Sequence, residues 1–163
     1  RDCLLSRGLG DVYKRQRFYD MAGFDYDEFA ALFDASPKKN LVIIGTSHGS
    51  EESARQQRDY VARIVEQYGE GYDIFFKPHP ADTSSAGYET EFPGLTLLPG
   101  QMPFEIFVWA LIDRVDMIGG YPSTVFLTVP LDKVRFIFAA NAESMARPLN
   151  ILFRDATDVE WMQ

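Results

Sequence analysis

The chain has 163 residues, a length suited to one ordinary domain. Hydrophobic residues at 46% and aromatics at 14% are ample for a packed core, which excludes a disordered chain. A net charge of −8 and a pI near 4.7 exclude a non-specific nucleic-acid binder and a binder of anionic membranes, because both need a basic surface.

An acidic domain can still hold a phosphate through backbone N–H groups and a few local cations. The single cysteine, Cys3, excludes an intramolecular disulfide framework and a multi-cysteine metal site. No apolar run approaches the roughly 20 residues of a membrane span. No transmembrane segment is therefore expected here. The expected setting is cytoplasmic, with any membrane association arising from regions outside this chain.

The first sixteen residues, RDCLLSRGLGDVYKRQ, stand apart. They set Arg1, Arg7, Lys14 and Arg15 against Asp2 and Asp11, basic where the rest is acidic. They lack the apolar stretch of a signal peptide. The segment resembles translated adapter sequence at the end of a metagenomic reading frame. Residues 1–16 are thus expected to be non-native, and 17–163 to form one domain. A natural helical lead-in is the alternative.

In FDYDEFAALF, Phe24, Phe29, Leu32 and Phe33 fall near one helical face, and SPKKN ends that helix. LVIIG (Leu41 to Gly45) is an apolar run cut off by Gly, as in a strand buried on both faces. A helix follows from Ser50, its expected N-cap, to Tyr68, with Tyr60, Val61, Ile64, Val65 and Tyr68 as its apolar stripe. YDIFFK (Tyr72 to Lys77) reads as a second strand, stopped by Pro78 and Pro80.

The small polar stretch Asp82 to Gly87 reads as an exposed loop, and Leu95 to Pro99 as a third strand. Pro103 suits the first residue of a helix running to about Ala110. Val115 to Gly120 reads as a fourth strand, Ser123 to Val129 as a helix, and Val134 to Ala139 as a fifth strand. The tail from Asp155 to Gln163 is expected to be helical. Alternation with crossovers too long for hairpins predicts an α/β fold, a Rossmann-like, mainly parallel sheet with helices on both faces. A ligand then belongs at the carboxyl ends of the strands.

Unusual residues fall at those ends. Gly45-Thr46-Ser47 follows the first strand, Lys77-Pro78-His79-Pro80 the second, and Gly119-Gly120-Tyr121-Pro122-Ser123-Thr124 the fourth, while Pro103-Phe104-Glu105 opens a helix. Neither GxGxxG nor a P-loop is present. Gly45 and Thr46 can offer backbone and hydroxyl donors to an anion. Prolines on both sides of His79 hold its imidazole rigidly, fit to donate to a leaving phosphate or to satisfy a neighbouring carbonyl. Ser123 and Thr124, at a helix start, suit a phosphate, and Ser123 equally suits a plain N-cap. Glu105 can accept from ribose hydroxyls or only complement its helix dipole.

In this order the segments resemble the bacterial CMP-sialic acid-dependent sialyltransferases of GT-B fold (glycosyltransferase family 80). The likeness runs from LVIIGTS through K-x-HP and P-F-E to GGYPSTVFLTVP and VRFIFA, roughly Leu41 to Phe153. It implies the C-terminal, donor-nucleotide-binding half of such an enzyme. Lys77, Pro78, His79 and Pro80 would then meet the cytosine, with His79 also on the phosphate as the catalytic residue. Glu105 would hold the ribose, and Ser123 with Thr124 the phosphate oxygens.

The resemblance further implies inverting transfer of sialic acid from a nucleotide-sugar donor to a glycan acceptor, with no cofactor and no metal required. The general base would lie in a second Rossmann-like half outside this chain, so this chain alone is expected to be inactive. Pro78 replaces a family Gly, Thr124 a second Ser, and Gly49 an acceptor-stacking Trp of some members. His48 is expected to have only a surface role. The alternatives are another GT-B-like transferase with a CDP or CMP donor, of the glycerophosphotransferase type, and a non-catalytic nucleotide-binding domain.

Overall fold

The apolar runs cut off by Gly45, Pro78 and the Gly119-Gly120 pair become neighbouring strands of one sheet. The computed structural model describes residues 14–163. Cys3 and most of the adapter-like segment lie outside the described residues. The chain divides into two compact units at Ala35/Ser36.

In the first unit, residues 14–22 are helical (α1) and α2 runs Tyr26–Phe33. The second helix begins two residues later than the apolar pattern alone suggests, because Asp25 caps it by accepting from the Glu28 N–H. Phe24 packs its ring on Tyr19 (5.2 Å) and on Phe29 (5.0 Å).

The second unit holds six strands: β1 (Lys39–Ile44), β2 (Tyr72–Lys77), β3 (Leu95–Leu97), β4 (Met117–Gly120), β5 (Val134–Ile137) and β6 (Glu160–Trp161). All pair in parallel, in the order β3-β2-β1-β4-β5-β6. That order reverses direction between β1 and β4, the topological switch point at which open α/β sheets place ligands.

β1 is buried at every position from Asn40 to Ile44. Leu41 and Ile43 join Ile74, Phe76 and, from the helix after β1, Tyr60, Val61 and Ile64 in one core cluster. By the alternation of the pleat, Val42 and Ile44 serve the opposite face. Helix α3 (Glu51–Tyr68) is capped as the sequence predicts, with Ser50 Oγ accepting from the Ser53 N–H at 3.2 Å. Helix α5 (Phe104–Leu111) starts right after Pro103.

Several expectations need correction. The tail is not helical: Glu160–Trp161 forms β6 against Phe136 and Ile137. The stretch after Asp82 is not an open loop but a short 3-10 turn, Ser84–Gly87, with Ser85 buried. It leads into a one-turn α4 (Tyr88–Glu91). Another one-turn helix, α6 (Leu149–Leu152), is too short to show a period in sequence. The helix after Ser123 is a single 3-10 turn, Thr124–Leu127. At the sheet edge, the outward N–H of Leu97 in β3 donates to the carboxylate of Glu89 at 2.8 Å.

Gly120 is the tightest point. Its φ is +127°, and an added Cβ would lie 2.2 Å from the Ile44 carbonyl oxygen of β1. Gly120→Ala is therefore expected to lower unfolding free energy by about 3 kcal/mol or more, through strain and backbone clash together. Gly49→Ala, whose new methyl meets nothing within 4 Å, should stay within about 0.5 kcal/mol of the parent. Urea denaturation of the two variants checks this, and equal stabilities would contradict it.

Candidate functional site

The strand registers place three loops side by side. Ile44 pairs with Lys77 on one side and Gly120 on the other, so β1, β2 and β4 end flush. Gly45, Pro78 and Tyr121 are then the first residues beyond the sheet. Gly45 keeps this corner close-packed, because a Cβ there would stand 2.6 Å from the Phe76 ring. Its N–H donates to the Lys77 carbonyl at 3.0 Å.

Above the flush ends lies a cleft of about 280 Å³, close to the lower end of ligand-site volumes. Eight of the nine residues singled out from sequence line it: Gly45, Lys77, Pro78, His79, Pro80, Glu105, Ser123 and Thr124. Thr46 does not. Its backbone N–H turns away and donates to Gln57 Oε1 at 3.0 Å. Gln101 and Met102 also line the cleft and went unremarked in the sequence. They follow β3, and the strand-end rule applied to that strand would have found them. Gln101 Nε2 donates to the Pro80 carbonyl at 2.9 Å, tying the loop after β3 to the loop after β2.

His79 is exposed, and its Nδ1 accepts from the Ala81 N–H at 3.1 Å. That acceptance assigns the proton of the neutral ring to Nε2, leaving Nε2–H as a donor for an oxygen. Ser123 caps the 3-10 turn by accepting from the Val125 N–H at 3.3 Å. A hydroxyl in that role still has its proton to donate. Because the helix is one 3-10 turn, its dipole is small, and what this end offers the cleft is the pair of residues Ser123 and Thr124 rather than a full helix terminus. Glu105 sits exposed in the first turn of α5.

Lys77 is only 4% exposed, and its Nζ donates to the carbonyls of Pro78 (2.8 Å) and Gly100 (2.9 Å). The side chain thus clips the His79 loop to the loop after β3. Burial pushes its ammonium down to about 8 from 10.5, with the Glu105 carboxylate pulling upward.

His48, expected at the surface, is half-buried instead. Its ring meets Tyr121 edge-on at 6.0 Å, and Nε2 is shut from solvent without a partner among the described residues. Burial pushes the Tyr121 phenol up to about 12.

The family model for sialyltransferase PMO188 matches residues 59–157, more than half of the chain. The chain belongs to this sialyltransferase family. Solved bacterial sialyltransferases share its fold. An α/β-galactoside α-2,3-sialyltransferase from Photobacterium phosphoreum is 26% identical, with a TM-score of 0.69 over 91% of this chain and 43% of that one. The GT-B domain of a Photobacterium damselae sialyltransferase is 24% identical, with a TM-score of 0.71 over 90% of this chain and 44% of that one.

A Photobacterium 2,6-sialyltransferase solved with CMP and lactose is 20% identical, with a TM-score of 0.67 over 88% of this chain and 34% of that one. The chain thus spans less than half the length of each of these relatives. No curated protein sequence matches it. The Rossmann-like sheet is that of a GT-B sialyltransferase domain, and the cleft lies at its strand ends.

Lys77 predicts a pH dependence. Below about pH 8 it is charged in both folded and unfolded chains, and the folded state bears the whole cost of burying the charge. As pH rises from about 8 towards 10.5 the folded chain releases the proton first, so this cost is relieved and stability rises. Urea denaturation over that window should show the parent gaining stability relative to Lys77→Met. Parallel pH profiles for the two chains would contradict it.

Proposed function

We propose that the cleft binds the CMP moiety of CMP-sialic acid, and that the chain is the donor-binding half of an inverting sialyltransferase whose acceptor-binding half lies outside it. The supporting observation is convergence: an imidazole, a carboxylate and two hydroxyls from separate loops line one cleft at the switch point. Family membership supplies the chemistry to test, and a relative solved with CMP and lactose supplies the ligand classes.

In this reading the cytosine lies against the loop from Lys77 to Pro80, with Lys77 underneath holding that loop through its bonds to the Pro78 and Gly100 carbonyls. Glu105 accepts from the ribose hydroxyls. Nε2–H of His79 and the hydroxyls of Ser123 and Thr124 donate to the phosphate. As an acceptor hydroxyl attacks the anomeric carbon of the sialic acid, the bond to the CMP oxygen breaks and its electron pair stays on the phosphate. Donors already aimed at that oxygen stabilise the growing charge without reorganisation. The acceptor's proton passes to a base on the absent half. The reaction so written uses no metal and no cofactor, and the chain alone binds donor without transferring it. Among the described residues no helix is long and apolar enough to cross a membrane.

CMP at one hundred times its Kd should stabilise the chain by about 2.7 kcal/mol, read as a rise in melting temperature. UDP should have no comparable effect. A shift with CDP-glycerol and none with CMP would favour the glycerophosphotransferase type. In a full-length enzyme His79→Ala should lower kcat by roughly 10²-fold or more, the usual loss on removing a hydrogen-bond donor from the oxygen on which charge develops. Unchanged turnover would leave only a nucleotide-binding domain without that chemistry.

A further inference from the structure

Gln57 of α3 is fully buried, at 0% exposed, in line with the apolar residues Val61 and Ile64 of the same helix. A polar side chain in such a place needs partners. Gln57 has three. Its Oε1 accepts from the Thr46 N–H at 3.0 Å, and its Nε2 donates to Asp82 Oδ2 at 3.2 Å and to the Tyr88 hydroxyl at 3.3 Å. The same Oε1 would lie 3.2 Å from a Cβ added to Gly45, so the amide packs directly behind the rim of the cleft.

Asp82 in turn closes the turn that begins at His79. Its N–H donates to the His79 carbonyl at 2.9 Å, next to the Ala81 N–H that holds the imidazole Nδ1. Its carboxylate also accepts from the Ser84 N–H (2.8 Å) and hydroxyl (2.7 Å). Burial works to raise the Asp82 carboxyl, but hydrogen bonds from Ser84, Ser85 and Gln57 outweigh it and hold the group below its usual range. An ionised acceptor therefore faces the amide. None of Gln57, Asp82 and Thr46 lines the cleft.

We infer that Gln57 is a positioning residue of the cleft: one buried amide ties the Gly45–Thr46 rim to the turn from His79 to Asp82, and so sets where the imidazole stands. The inference rests on the donor reading only for the choice of CMP as the probe.

Amide hydrogen exchange and ring signals of the 163-residue chain test it. Gln57→Leu should speed exchange at Thr46 about tenfold, the loss of one ordinary hydrogen bond, and shift the His79 ring signals, while Val61 and Ile64 keep their protection. Gln57→Glu keeps an acceptor for Thr46 but sets a second carboxylate against Asp82. Thr46 should then stay protected while Ala81 loses protection, a split that general loosening of the fold does not produce.

Asp82→Ala cuts the same link from the partly exposed side and serves where a core variant fails to fold. It should reproduce the changes at Ala81 and His79. Each of these variants should weaken CMP binding on the order of tenfold, within the range of ångström-scale misplacement. Unchanged Ala81 exchange and His79 signals in both Gln57→Glu and Asp82→Ala overturn the inference, as does unaltered CMP affinity in variants whose turn has loosened. If the parent chain binds no CMP, the donor reading falls, and the exchange data alone still decide the role of Gln57.

Discussion

The central constraint is the closeness of three backbones at the carboxyl edge of the sheet. β1 lies between β2 and β4, and all three end at the same level. The corner closes only because Gly45 and Gly120 bring no side chain into it. From that packing follow the adjacency of the three loops, the cleft above them, and the meeting of residues far apart in sequence. Any method of separating the strand ends by a side chain would separate those residues too.

A close-packed strand edge does not by itself orient loops, which need hydrogen bonds in a region shielded from water. Two buried side chains supply them. Lys77 bridges the carbonyls of Pro78 and Gly100, and Gln57 bridges Thr46, Asp82 and Tyr88. Both are nearly or wholly out of solvent, where an unpaired polar group is costly and a paired one rigid. A lysine selected from sequence as a ligand contact thus carries an architectural duty as well, and its burial accounts for its readily lost proton.

The sequence made some of this legible for identifiable reasons. Strand β2 runs Tyr72–Lys77, as the apolar run and the prolines after it indicate, and Ser50 caps α3 as its chemistry requires. β6 was not legible, because Glu160 and Trp161 become a strand only through pairing with β5, a tertiary effect that overrides a weak local preference. Among the candidate site residues, strand-end position and residue type pointed to His79 and Ser123, and a helix start to Glu105, and all three line the cleft. Thr46 stands outside the cleft lining, with its N–H on Gln57, and a sequence does not show which way a peptide N–H turns. Gln57 escaped notice because a polar residue in an apolar stripe looks like a solvated gap rather than a buried node. Its position one turn before Val61 was the available signal.

The carboxylate of Glu89 on the outer N–H of Leu97 has its own consequence. A parallel sheet of this kind leaves a free margin beside β3, where a foreign strand could add on and propagate into aggregates. To do so here, an incoming chain would have to displace a charge-assisted bond and settle beside a negative charge. The margin is also only three residues long. The fold thereby carries a built-in deterrent to self-assembly on the flank beyond β2.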